Sequence, residues 1–376
     1  MTATLLSHEP DWLITHRKKS LDAFTALPAP LFKYGIGIFV DTSMHDFSRL
    51  RTDAPEELAI SAPCEVVVTP LAQAIKENPG YFRAFLSNVP QDKFLTLHHA
   101  FFNSGVVLRI PAHTTVSQPI MITGDLDRPL IDFVFVIAEP NSTATIIDCA
   151  QSSVYSSHVV HISAQDKSRV TYVTHQNNDE RTLVHSRKEA DVSSDAHVTW
   201  IDSTLGTRFT HSTTLTRLNQ QGAESHTHGL FLGTGQHVFD INTQTLHNAP
   251  KTTSTMTTRG ALSGNAKAVY RGLVRIEQHA RGSNGHQKED TLLLSKNAEA
   301  DAVPYLEINT NDVTCSHGAT IGRVNNEQLF YLMSRGVTEA DAKRAIIEGF
   351  FEPIINHITH SPHQDAIRNT ISRQTL

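Results

Sequence analysis

From about Phe101 to Asp312 the apolar positions recur in short alternating runs. These are Phe133 to Ala138, Ala144 to Ile147, His158 to Ile162, Val170 to Thr174, Val198 to Asp202, Thr213 to Leu218, Leu230 to Leu232, Val238 to Ile241 and Val269 to Ile276. Thr and Val are abundant, and nothing between the runs is long and periodic enough for a crossover helix, so the spacing predicts an all-β region. The strands start roughly every 12 to 16 residues, which fits an antiparallel sandwich and a parallel β-helix equally well, because both stack short strands with brief turns.

The two ends read differently. Leu13, Arg17, Leu21 and Phe24 fall near one face of an amphipathic helix over 11–27 that stops at Pro28 and Pro30. A second helix is expected from Leu71 to about Lys76, interrupted by Asn78-Pro79-Gly80 and resuming from Tyr81 to Leu86, so residues 1–100 form a small, mostly helical cap. Residues 319–376 form a C-terminal helical domain after a β-core over 101–318. In that domain Asn325 and Gln328 have capping-box spacing, Arg335 lies in a last turn and Gly336 is a left-handed stop. Thr338, Glu339 and Asp341 open the next helix, and Pro353 should kink or end it. This helix carries two apolar rows, Ala342, Ala345, Ile346, Gly349, Phe350 and Ile347, Phe351, Ile354, Ile358. Such a wide apolar surface needs more than one neighbour, either both within the chain or one of them a partner.

Composition narrows the function. With 32 Lys and Arg against 38 Asp and Glu, the 376-residue chain carries a net charge of −6 and no basic stripe, so a nucleic-acid partner is not expected. No apolar stretch reaches the length of a membrane span, and the N-terminus lacks a signal-peptide pattern, so a cytoplasmic location is expected. There is no phosphate-binding loop: Gly233-Thr234-Gly235 lacks the third glycine of a dinucleotide fingerprint. The three cysteines, Cys64, Cys149 and Cys315, are far apart, so the chain encodes no self-contained zinc or cluster site.

The densest candidate chemistry lies where the strand pattern gives way to helix. Cys315 and His317, two apart on a strand, share a face, and Gly318 is expected to let the backbone turn directly after them. Taken bare, Cys315 reads as a small buried hydrophobe. The stretch Cys315-Ser316-His317-Gly318-Ala319-Thr320, followed by Leu329-Phe330-Tyr331-Leu332-Met333-Ser334-Arg335-Gly336-Val337, resembles the signature of the SufB/SufD family of iron-sulfur cluster assembly scaffolds. The likeness extends to Ala249-Pro250-Lys251-Thr252-Thr253-Ser254, Tyr270-Arg271-Gly272-Leu273-Val274-Arg275-Ile276, Leu292-Leu293-Leu294-Ser295 and Ile346-Ile347-Glu348-Gly349-Phe350-Phe351. Residues 295–304 contain no cysteine, and Ser316-His317-Gly318 stands where SufB chains have His-Glu-Ala, so the resemblance is to the SufD branch.

The resemblance implies a right-handed parallel β-helix with no enzymatic activity of its own. It implies a transient cluster shared with a SufB-like subunit, to which His317 and, less directly, Cys315 supply ligands. It also implies a SufC-like ATPase docked on the C-terminal helices, with Leu329, Phe330, Arg335, Ile347, Phe350 and Phe351 as candidate contacts. A homodimer without SufB is compatible with it, and Cys64 and Cys149 are left with structural roles. The residues leave two rivals. A β-helix carbohydrate-active enzyme would need a repeated acidic row and aromatic platforms, and the β-region offers one Trp, Trp200. A zinc hydrolase is suggested by the 22 histidines but would need a third convergent ligand. His226 and His228 share a strand face, and Glu224 could join them at period two. His98 with His99, and His158 with His161, do not share a face. Hydrogen-bonded structural histidines are the default for all of these.

Overall fold

In the computed structural model, which describes residues 9–28, 58–178 and 181–375, the alternating runs wind into a parallel β-solenoid. One nine-stranded sheet takes, in spatial order, β1 (Ala59–Ser61), β4 (Ile120–Leu126), β6 (Thr143–Ser152), β8 (Arg169–Asn178), β10 (His197–Gly206), β12 (Glu224–Gly233), β14 (Thr253–Leu262), β16 (Ser283–Leu293) and β18 (Val313–Arg323). The other, also nine-stranded, runs from β2 (Val67–Pro70) through β3 (Ser104–Ile110), β5 (Leu130–Ala138), β7 (Tyr155–Ala164), β9 (Leu183–Val192), β11 (Phe209–Leu218) and β13 (Val238–His247) to β15 (Lys267–Ile276) and β17 (Glu299–Ile308). His197 pairs with Glu224, Glu224 with Thr253, Thr253 with Asn284 and Asn284 with Thr314, so each coil takes roughly 30 residues, within the usual range of solenoid repeats. This is the parallel architecture that the family resemblance implied.

Period-two alternation explains the interior. In the first coils one parity of each strand is aliphatic: Leu108, Ile110, Ile120, Ile122, Val134, Val136, Ile146 and Ile162 are buried together. Trp200 closes this apolar stretch, its indole N–H donating to the Thr216 hydroxyl at 3.0 Å. Toward the C-terminal coils the same parity becomes mixed, with Thr243, Thr258, Gln287, Glu289 and Thr291 buried alongside Met256, Val274 and Ile276.

The N-terminal end finishes in two short strands. Strands β1 and β2 pair antiparallel with β4 and β3, and β2 ends at Pro70. Helices α1 (Asp11–Ala26), α2 (Leu71–Glu77), α3 (Pro79–Phe85) and α4 (Lys93–Phe101) pack with Phe133, Phe135, Tyr155 and Phe209 on the outer face of the second sheet. Pro79 begins α3 rather than lying in an interruption before it, since a proline is tolerated at a first helical position where its missing N–H is not needed. The face of Leu13, Arg17 and Phe24 is buried as expected. Arg17 is accommodated there because its guanidinium pairs with Glu9 at 2.7 Å and donates to the carbonyls of Ala100 and Phe102 at the end of α4.

Three helices follow the last strand: α5 (Asn326–Ser334), α6 (Glu339–Ile355) and α7 (Ser361–Gln374). The caps form as the sequence predicts. The Asn325 carboxamide accepts from the Glu327 and Gln328 amides, and Thr338 accepts from Asp341. Gly336 takes φ +86° while Val337 N–H reaches back to Leu332 O, a Schellman closure. Pro353 falls in the last turn of α6, which ends two residues later at Ile355. The two apolar rows separate. Ile347, Phe351, Ile354 and Ile358 are buried with Ile147, Val173, Ile201 and Leu230 on the outer face of the first sheet, whereas the other row is mixed, with Ala342 buried, Ile346 and Phe350 half-buried and Ala345 and Gly349 exposed.

Replacing Arg17 by Ala strands Glu9 and two carbonyl acceptors, and should cost about 3–5 kcal/mol in chemical denaturation. The exposed neighbour Lys18→Ala should stay within about 0.5 kcal/mol of wild type.

Candidate functional site

The two sheets end at β17 and β18, and no described strand pairs with their outer edges. Gly318 does not turn the chain. The strand continues through it to Arg323, because Ala319, Thr320, Ile321 and Gly322 keep their ladder with β16. Cys315 and His317 therefore sit in mid-strand on an open edge.

They share a face, as period two requires, but not an environment. Cys315 is half-buried against Met256, Val274, Ile276 and Leu306, whereas His317 is exposed. Opposite Cys315 lies Gly285, and a side chain cannot fit there. Its Cβ would lie 2.7 Å from Val274 Cγ1 and 3.6 Å from both Cys315 Sγ and His247 Nε2. Burial pushes the Cys315 thiol up, against the pull of the Gly285 amide. It is therefore a thiol at neutral pH. His247 is fully buried, and burial lowers its pKa to about 4. The hydroxyls of Thr252 and Ser254 engage its two ring nitrogens at 2.7 and 2.8 Å, which makes it a fixed neutral wall of the site.

Beneath His317 the interior is polar. Its ladder partner Gln287 is buried with no protein partner for either amide atom. Two residues on, the Glu289 carboxyl is raised to about 7 by burial, with Asp290 adding to the shift and the Thr291 hydroxyl opposing it. Gln287 and Glu289 escaped the sequence reading, although the alternation Gly285, Gln287, Glu289, Thr291 was visible in it. Only the register shows that this row faces Cys315 and His317.

The helical candidates divide in the same way. Phe330 is 73% exposed, and Arg335 lies on the surface with its guanidinium over the Tyr331 ring. Leu329 and Phe350 are half-buried, and Arg259 stacks on the Phe350 ring and donates to its carbonyl. Ile347 and Phe351 face the chain's own sheet. Between α5 and α6 runs an open groove of about 650 Å³ lined by Tyr331, Leu332, Ala345, Ile346 and Gly349. The other cysteines lie elsewhere. Cys149 is half-buried 3.8 Å from His363, its thiol pushed by burial to about 12, and Cys64 is exposed, so packing does not account for it.

Several of the described histidines are tied into the fold. His98 and His99 lie buried on α4, and His158 pairs with the buried Asp132 at 2.5 Å. His226 and His228 share a face, but Glu224 does not join them as a triad. The His228 ring stacks on His357 at 3.7 Å, and His197 from β10 takes its place beside Glu224 and His226.

Comparison with known sequences agrees with this geometry. The family model described as SUF system FeS cluster assembly, SufBD core domain, matches residues 121–350, from β4 into α6. The chain belongs to the SufBD family of iron-sulfur cluster assembly proteins. Similar proteins named as iron-sulfur cluster assembly SufBD family proteins occur in Staphylococcus epidermidis, 27% identical over 416 aligned positions, and Staphylococcus saprophyticus, 27% over 413. Each alignment covers 94% of this chain and 87% of the relative. Membership in the SufBD family supersedes both the carbohydrate-active and the zinc-hydrolase readings. No helix among the described residues of this SufBD protein is long and apolar enough to cross a membrane.

A pH test follows from Glu289. Its folded pKa lies above its unfolded value, so the folded state holds a proton that the unfolded state has lost between about pH 4.5 and 7, and its contribution to stability falls as pH rises through that window. Glu289→Gln should therefore gain on wild type by on the order of 3 kcal/mol between pH 5 and pH 8 in urea denaturation of the isolated chain. A pH-independent difference would contradict the assignment.

Proposed function

We propose that this SufBD family protein is a non-enzymatic scaffold of the SufD type. It joins a SufB-type subunit through the open edges of β17 and β18 and a SufC-type ATPase through α5 and α6. The observation that carries this reading is that β18, one of the two long edge strands at the C-terminal end of the solenoid, is also the strand bearing Cys315 and His317. An exposed sheet edge recruits another chain by main-chain hydrogen bonds, so pairing there would bring a second subunit's side chains against this face. An iron-sulfur cluster takes about four protein ligands, predominantly thiolates. One thiol and one imidazole cannot hold it, so the cluster would be a cargo shared across that interface and not retained by the isolated chain. Without a SufB-type subunit the same edge is open to a second copy of this chain.

The ATPase assignment rests on the exposed Ala345 and Gly349 of α6 and on α5, none of whose side chains is fully buried. Phe330, Tyr331 and Met333 are 73%, 58% and 43% exposed on α5, with Tyr331 lining the groove, an apolar surface of the kind that marks a protein contact. Ile347 and Phe351 would serve by fixing α6 to the solenoid. ATP binding by paired SufC-type subunits would then pull on α6, whose inner row is packed on β10, β12 and β14, and load the β-edge interface.

In complexes co-expressed with SufB- and SufC-type subunits, His317→Ala should leave assembly intact by size exclusion while lowering reconstituted cluster yield by at least about 10-fold. Unchanged yield would remove His317 from the ligand set. Phe330→Asp should weaken co-purification of the ATPase by roughly 30-fold or more without altering the circular dichroism of the chain. Undiminished binding would move the docking surface elsewhere.

A further inference from the structure

Away from the terminal strand, the outer face of the first sheet brings together three metal-competent side chains that belong to two neighbouring strands. His197 on β10 and Glu224 on β12 are ladder partners, and His226 follows Glu224 at period two. The donor atoms of all three lie within 4.8 Å of one another. This parity points away from the interior, opposite to Cys315 and His317, and β12 is separated from β18 by β14 and β16.

The surroundings are those of a built site. His197 Nδ1 lies 3.2 Å from the Glu224 carboxylate, and its Nε2 is held by the Thr199 hydroxyl at 3.0 Å. His226 Nδ1 is held by the Thr255 hydroxyl at 2.5 Å, which leaves Nε2 as its metal donor. Each imidazole thus has one nitrogen oriented by a threonine hydroxyl, the arrangement in which an outer hydrogen bond fixes a histidine ligand's ring; the second nitrogen of His197 faces the Glu224 carboxylate, so an ion would enter between these two partners. Burial lowers the pKa of both histidines, so neither requires deprotonation near neutral pH. Two imidazoles and one carboxylate, with positions left over for water, form a donor set for first-row divalent ions, and the all-oxygen preference of magnesium and calcium does not suit it.

We propose that His197, Glu224 and His226 bind one divalent transition-metal ion on the outer face of the solenoid, at a site separate from the Cys315 and His317 edge. His228 is not in the donor set, because its ring is stacked on His357. The site stands independently of the partner assignments above.

The test uses the full chain carrying Cys315→Ser and His317→Ala, stripped with chelator, so that the terminal strand contributes nothing. Zn2+ is titrated against a competing chromophoric chelator, and Co2+ by its visible absorption. One equivalent of each should bind, with excess Mg2+ failing to displace it. His197→Ala and His226→Ala should each weaken binding about 100-fold or more, and Thr255→Val by roughly 10-fold through the loss of its orienting hydroxyl. Glu224→Gln, which preserves shape, should also weaken it, while His228→Ala should leave it unchanged. Circular dichroism checks that each variant is folded. Absence of a bound equivalent, or affinity unaltered in folded His197→Ala and His226→Ala, would overturn the site. So would loss of binding in His228→Ala alone.

Discussion

The parallel backbone ladder is the interaction on which the molecule depends. Each coil satisfies the N–H and C=O groups of the one before it, and a ladder of this kind has two ends at which those groups run out of partners. The two ends are treated differently. At the N-terminal end the edges are the short antiparallel strands β1 and β2, the latter stopped by Pro70, with four helices packed alongside. At the other end β17 and β18 run for 10 and 11 residues with their outer edges unpaired among the described residues. A long, regular, exposed edge of this kind is the feature on which the proposed assembly rests.

The interior changes character on the way to that edge. Aliphatic layers fill the first coils, whereas the last are lined by threonines and by Gln287 and Glu289. A polar interior is a poor source of stability, since its groups give up water for few partners. It lies beneath His317, while Cys315 rests against the apolar Met256, Val274 and Ile276. Gly285 lets the Cys315 thiol and His247 approach one small space, and Thr291 holds one oxygen of a carboxyl whose proton is retained near neutrality.

What the sequence made legible follows from the range of the interactions involved. Caps are local, so Asn325, Thr338 and Gly336 could be placed from their spacing alone. Period two is local as well, so Cys315 and His317 were rightly set on one face, and so were His226 and His228. Helix α4 was missed because Phe94, Leu97, His98, His99, Ala100 and Phe101 are all buried and leave no polar stripe, although Asp92 caps its first turn. Strand pairing is not local. Partners lie a whole coil apart, so neither the parallel architecture nor the meeting of Glu289 with the His317 strand could be read from alternation. The same register brings His197 to Glu224 and His226, where the sequence offered only a possible triad with His228 against a structural default. Gly318 misled because a glycine in a strand and a glycine at a turn look alike until the ladder around it is known.

Hydrogen exchange along the terminal coil bears most directly on the open edge. In the isolated chain the outward amides of Val313–Arg323 and Glu299–Ile308 should exchange orders of magnitude faster than those of Glu224–Gly233 in mid-solenoid. On binding a SufB-type subunit they should become protected to the mid-solenoid level. If they are already protected in the monomer, or if exchange is unchanged when the partner binds, the edge is not the surface through which this protein assembles.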